Sequence, residues 1–169
     1  MPFTPFHLGP ALLICLLLFP LLDVASFLVA SVIVDIEPLY LMSQPSLYLH
    51  GFFHSYLGAS IFGILTALGM YSIRKITQRI LKSFLIQQKT SFQKILFTSL
   101  LGVYSHVFLD SFLYGDIRPF YPLEANPFLN AASSSLVYAF CTASFLLGLA
   151  VYVYRVVNAR KPGISPEPH

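Results

Sequence analysis

LGPALLICLLLFPLLDVASFLVASVIV, residues 8–34, can form either one membrane helix or two. Its 27 residues would make a single helix of about 40 Å, enough to cross a bilayer at a tilt. Two residues argue against that. Pro20 removes a backbone donor, and Asp23 would sit at mid-bilayer, where a carboxylate is expensive. Two short helices, roughly 6–20 and 24–36, turning around Pro20–Asp23 near the membrane surface, avoid both problems.

The surrounding chain is that of an integral membrane protein. Of 169 residues, 56% are hydrophobic and only 10% charged, against about a quarter charged in a soluble domain. Residues 55–73 and 131–154 carry no charge and are long enough to span. Residues 95–114 also span, although they hold His106 and Asp110. With the N-terminal hairpin this predicts an all-α bundle of about five transmembrane helices. It forms a single domain over 1–157, followed by a flexible Pro-rich tail at 158–169. No Lys or Arg precedes the first apolar run, so signal cleavage is not expected. Cys15 and Cys141 lie inside apolar runs and read as small hydrophobes. With no CxxC, a cysteine zinc site is excluded. No nucleic-acid motif or phosphate-binding glycine loop occurs.

Charge sets the orientation. Six of the ten Lys/Arg lie between 74 and 94, and Arg155, Arg160 and Lys161 follow the last span; only Arg118 falls elsewhere. Positively charged loops stay inside. The 74–94 loop and the C-terminus are therefore expected in the cytoplasm, and five spans put the N-terminus outside the cell membrane. Segment 73–85, IRKITQRILKSFL, spaces Ile73, Ile76, Ile80 and Phe84 at helical intervals with basic residues between. It reads either as a helix lying on an anionic inner leaflet or as a solvated loop.

The remaining polar residues gather at the other, outer side. His7 opens the first helix, and Asp35 and Glu37 end the second. His50 and His54 precede the third, and His106 and Asp110 sit in the outer half of the fourth. Four of the five histidines and five of the seven acids fall there, which orientation signals alone do not require. Residues four apart share a helix face. His106 and Asp110 can therefore point at one centre, and so can His50 and His54 if HGFFHS (50–55) is helical. Imidazole nitrogen with carboxylate oxygen is a donor set for a divalent metal, zinc first, with manganese or iron as alternatives. The candidate metal ligands are His7, Asp35, His50, His54, His106 and Asp110. An intramembrane carboxylate such as Asp110 is the strongest single signal.

The order His7, VDIEP (34–38), HGFFHS (50–55), GVYSHVFLD (102–110) and GDIRPFYP (115–122) resembles the YdjM-like family of predicted membrane-bound metal-dependent hydrolases. That family shows an N-terminal His, PDxD, HRGxTHS and a GYxxHxxxD helix, then a Gly and a Tyr- or Trp-Pro. Glu37 stands here where the family has Asp, and Gly51 where it has Arg. The family is distantly similar to zinc-dependent phospholipase C, so the resemblance implies phosphoester hydrolysis.

The function expected is that of a membrane-bound metal-dependent hydrolase acting on a phosphoester such as a lipid head group, with metal-activated water as nucleophile. Six candidate ligands exceed the three of a mononuclear catalytic zinc, so either two metals bind or some of the six support the others. Glu37 or Asp116 would act as general base or orient a ligand histidine, and Arg118 would neutralise a phosphate oxygen. Loop 115–130 either covers the site or is a plain connector. The alternative is a non-catalytic membrane protein whose metal is structural or in transit. The transport form of that reading wants polar residues deeper toward the cytoplasm, where Asp23 is the one candidate. HExxH is absent, and five histidines are too few for the several His boxes of membrane diiron oxygenases.

Overall fold

The computed structural model describes residues 4–45 and 48–159. The expected tail lies outside them from residue 160 onward. Among the described residues every regular element is helical. A 3-10 turn over Thr4–His7 leads into α1 (Leu8–Leu17). The 8–34 stretch does break into a hairpin. Its turn runs from Leu18 to Asp23, and Asp23 caps α2 (Val24–Ile33) by accepting from the Ser26 N–H at 3.0 Å. The acid placed in the turn is thus a buried helix cap, which also accepts from the Ser26 hydroxyl.

The second arm is longer than expected. After Ile33 the backbone stays near helical values and resumes as α3 (Ile36–Met42). Pro38 sits in the first turn of α3, where its missing N–H has no intrahelical partner to lose. α4 (Tyr56–Ser72) is followed after one residue by α5 (Arg74–Ser83), bent from it by 75°. α6 (Phe92–Ser111) and α7 (Ser134–Ala159) complete the chain.

By length and composition Val24–Met42, Phe92–Ser111 and Ser134–Asn158 can each cross a membrane, and α4 with α5 makes a broken span. With 10 residues, α1 is a shorter apolar helix and reaches about halfway across a 30 Å hydrocarbon core. The bundle is therefore the expected hairpin plus three spans, with one half-length arm.

α6 is the central helix. It packs against α2 on one side and α4 on the other, while α7 joins the bundle through α1 and the first 3-10 turn. The α2–α6 contact is close because Gly102 faces Ala30; a Cβ there would lie 2.6 Å from the Ala30 Cβ. Small residues at helix crossings are the usual means of packing in lipid, where apolar surface alone gives helices no reason to associate. Thr98, Ser99, His106, Asp110 and Ser111 line the buried face of α6, so the polar residues of this helix face protein.

Candidate metal centre

Four elements bring the site together. His106 and Asp110 lie one turn apart on α6, with His106 Nε2 3.3 Å from Asp110 Oδ2. Asp35, at the junction of α2 and α3, places Oδ1 3.5 Å from the same His106 nitrogen. His54 ends a 3-10 turn over Phe52–His54, and its ring lies 5.4 Å from that of His106. His7, at the end of the first 3-10 turn, places Nε2 3.1 Å from Asp110 Oδ1, and its ring stacks on His106 at 4.2 Å.

HGFFHS is not the α-helix that a four-residue spacing suggests. The chain turns at Ser55, which is extended and caps α4 by accepting from the Gly58 N–H. Two carboxylates capture the backbone instead. Glu37 accepts from the N–H groups of Phe53 and His54 at 3.0 and 3.1 Å, and Asp116 from those of Leu49 and His50, both at 3.0 Å. The two histidines still meet, with ring centroids 4.7 Å apart, but each has its own carboxylate.

Those carboxylates fix the rings. His54 Nδ1 donates to Glu37 Oε2 at 2.7 Å, and His50 Nδ1 to Asp116 Oδ1 at 2.9 Å. His106 Nδ1 lies 2.8 Å from the Ser31 carbonyl, which can only accept. In the neutral ring each Nε2 then carries the lone pair, the form a metal requires. Burial pushes the His54 imidazole below its ordinary value despite the neighbouring Glu37, so the ring is neutral at pH 7. Burial would raise the Asp116 carboxyl, but the His50 ring and the backbone donors outweigh it and hold it below the usual range.

The atoms left over converge. One ligand atom from each of Asp35, His54, His106 and Asp110 lies within 4.8 Å of all the others. Among the described residues nine buried side-chain polar atoms lack a hydrogen-bond partner, and seven belong to His7, Asp35, His54, His106 and Asp110. The His106–Asp110 separation is short enough for a hydrogen bond, but the groups are not aimed at one another. Each unsatisfied buried group costs about 1–3 kcal/mol, so the orphan atoms gathered on Asp35, His54, His106 and Asp110 call for a common partner. The 3.3 and 3.5 Å separations match the roughly 3.3 Å edge of a tetrahedron built on bonds of about 2.0 Å. Two carboxylates and two neutral imidazoles also balance the charge of a divalent cation. The residues present fit such an ion.

The other predicted residues surround this group. His50 faces a cleft of about 680 Å³, whose lining includes Leu41, Gly51, Phe52, Asp116 and Arg118. Arg118 is half exposed and pairs with Glu124 at 3.2 Å. The loop after α6 is more than a connector: the Tyr56 N–H donates to the Pro119 carbonyl, and Tyr121 packs edge-on against Phe52. Sequence reasoning missed Tyr114, whose ring lies 4.4 Å from that of His50; its place four residues past Asp110 was the available signal. It also missed the Ser31 carbonyl, a backbone group with no sequence signature.

Residues 2–164 match the family model described as YdjM inner membrane protein. The chain belongs to this family. For this YdjM-family protein the description places it in the inner membrane, in agreement with its apolar helices. No curated protein and no solved structure matches the chain. In this member of the family the buried Asp/His group could hold a divalent metal ion.

The carboxylate behind His54 has a measurable effect. Glu37→Gln keeps the size of the side chain but replaces one accepting oxygen with a donor. It should weaken divalent-metal affinity by about 10–100-fold, read by competition with a chromophoric chelator. An unchanged affinity would mean that the Glu37 charge does not support His54 as a ligand.

Proposed function

We propose that this YdjM-family protein is a membrane-bound metal-dependent hydrolase acting on a phosphoester, such as a lipid head group, at the outer surface of the inner membrane. The observation that carries this reading is the convergence of unpartnered His and Asp atoms, one of whose residues, His54, has its ring 4.7 Å from that of His50 in the cleft wall. Asp35, His54, His106 and Asp110 would hold the ion, with His7 beside Asp110. A divalent ion, zinc first, supplies Lewis-acid activation of water and of a phosphoryl oxygen at neutral pH.

The protein's own groups do the rest. Glu37 holds the His54 ring in place. Asp116 keeps a proton on His50 Nδ1, which leaves Nε2 to take a proton from the attacking water as general base. The dyad thus replaces Asp116 itself as the base. Arg118, at the cleft wall, pairs with an anionic phosphoryl oxygen. An amphiphilic substrate is favoured by the apolar wall at Leu41 and Phe52, and by Leu39, Tyr40 and Met42, which α3 leaves exposed. The outward orientation rests on the Lys/Arg-rich segments at the opposite end of the bundle.

The test is a phosphoester screen with purified protein, from soluble aryl phosphodiesters to phospholipids, with zinc or manganese supplied. Turnover should need the ion, stop with chelator, and fall by about 100-fold or more in His50→Ala while bound metal is retained. Metal-loaded protein that turns over nothing in the screen would overturn the hydrolase reading.

A further inference from the structure

At the opposite end from the metal centre, α5 presents three distinct faces. Ile73, Ile76, Ile80 and Phe84 form one stripe, and each is about half exposed, with values of 46, 56, 53 and 53%. A second face is fastened to the bundle. Leu81 is buried, and Gln78 donates to Asp23 Oδ2 at 3.3 Å and accepts from the Gln88 N–H at 2.8 Å. Gln88 in turn donates to the carbonyls of Phe19 and Leu22 and accepts from the Val24 N–H. These bonds tie the helix to the α1–α2 turn. The third face carries Lys75, Arg79 and Lys82, all exposed.

A helix with one apolar, one anchored and one cationic face suits the line where protein, hydrocarbon and water meet. The 75° bend after α4 lays it across the direction of that span. Its charge is not balanced locally. Among the described residues Lys75, Arg79 and Lys82 form no ion pair with a carboxylate. The acid at this end, Asp23, is buried and bonded to Ser26 and Gln78.

We propose that α5 is a docking surface for anionic phospholipid, with its Ile/Phe stripe among the acyl chains and Lys75, Arg79 and Lys82 on the head groups. The inference does not depend on the metal centre. The occupant follows from charge complementarity. A zwitterionic lipid would satisfy the stripe, but its phosphate is already balanced by its own ammonium, whereas an anionic head group brings net negative charge to the three cations as well.

The test uses the full chain in phosphatidylcholine vesicles containing a fixed fraction of phosphatidylglycerol. A bimane probe is placed at Ile80→Cys, in the apolar stripe, or for comparison at Lys82→Cys, at the level of the head groups. Cys15 and Cys141 are buried and out of reach of the label. Bromine is carried on one lipid or the other. The probe at 80 should be quenched by both lipids, about two-fold or more strongly by the brominated anionic one, and the probe at 82 much less. Adding Lys75→Gln and Arg79→Gln to the Ile80→Cys chain should make the two lipids equivalent. Equal quenching by both lipids in the otherwise native chain would overturn the proposal. So would a probe at 80 no better quenched than at 82, or crosslinking of two chains through position 80, which would put a second copy on this face.

Discussion

Asp110→Asn should abolish the protein's hold on a divalent ion, with affinity falling by more than about 100-fold, beyond the range for groups that only support a ligand. Asp110 is fully buried on α6, and both of its oxygens lack a hydrogen-bond partner although His7 and His106 stand 3.1 and 3.3 Å away. The substitution removes one of the two carboxylates that balance the ion and leaves Asp35 alone. In the ion-free protein Asp110 stands beside His7 and His106 as well as in the group with Asp35, so the substitution also changes the baseline stability, apart from the gain on adding metal. Thermal unfolding separates the two. A ligand at about 1,000 times its Kd adds roughly 4 kcal/mol to the native state. Wild-type Tm should therefore rise strongly with added zinc, while that of Asp110→Asn stays flat. An equal rise in both would remove Asp110 from the site.

The second large effect comes from a residue that touches no ligand. Gly58, in the first turn of α4, lies under the turn that carries His54. A Cβ there would stand 2.2 Å from the Phe52 carbonyl oxygen and 2.8 Å from the Phe53 Cα. These are backbone atoms and cannot swing aside. That same carbonyl accepts from the N–H and hydroxyl of Ser55, so displacing it also loosens the cap of α4. Gly58→Ala should cost about 1–3 kcal/mol and weaken metal binding by moving His54. Gly69→Ala in the same helix is the control. Nothing lies within 4 Å of its Cβ position, so it should be neutral or gain up to about 1 kcal/mol. Equal behaviour of the two variants would mean that the His54 turn is not held by this contact.

The parts of the molecule differ in how legible they were. The break in residues 8–34 could be read because Pro20 and Asp23 oppose a continuous helix on independent physical grounds, and Asp23 does start the second arm as a cap. The His106–Asp110 pair could be read because an uninterrupted helix fixes where residues four apart point. HGFFHS could not, since its shape is set by Glu37 and Asp116, 17 and 66 residues from the histidines whose backbone N–H groups they take. The grouping of His54 with Asp35, His106 and Asp110, and the place of His50 in the cleft wall, are tertiary results of those bonds. Two departures from the family pattern also meet in space. A Cβ at Gly51 would lie 2.7 Å from Glu37 Oε1, so the longer acid at 37 fills the room that a side chain at 51 would need. Neither substitution signals the other in the sequence.

Asp35, His54, His106 and Asp110 are placed to hold one divalent cation. The most direct measurement is the metal content, by mass spectrometry, of the detergent-purified full chain after dialysis against zinc and removal of free ion. One equivalent per chain, lost in Asp110→Asn, is the predicted result. A wild-type chain that stays empty when zinc or manganese is supplied would contradict it.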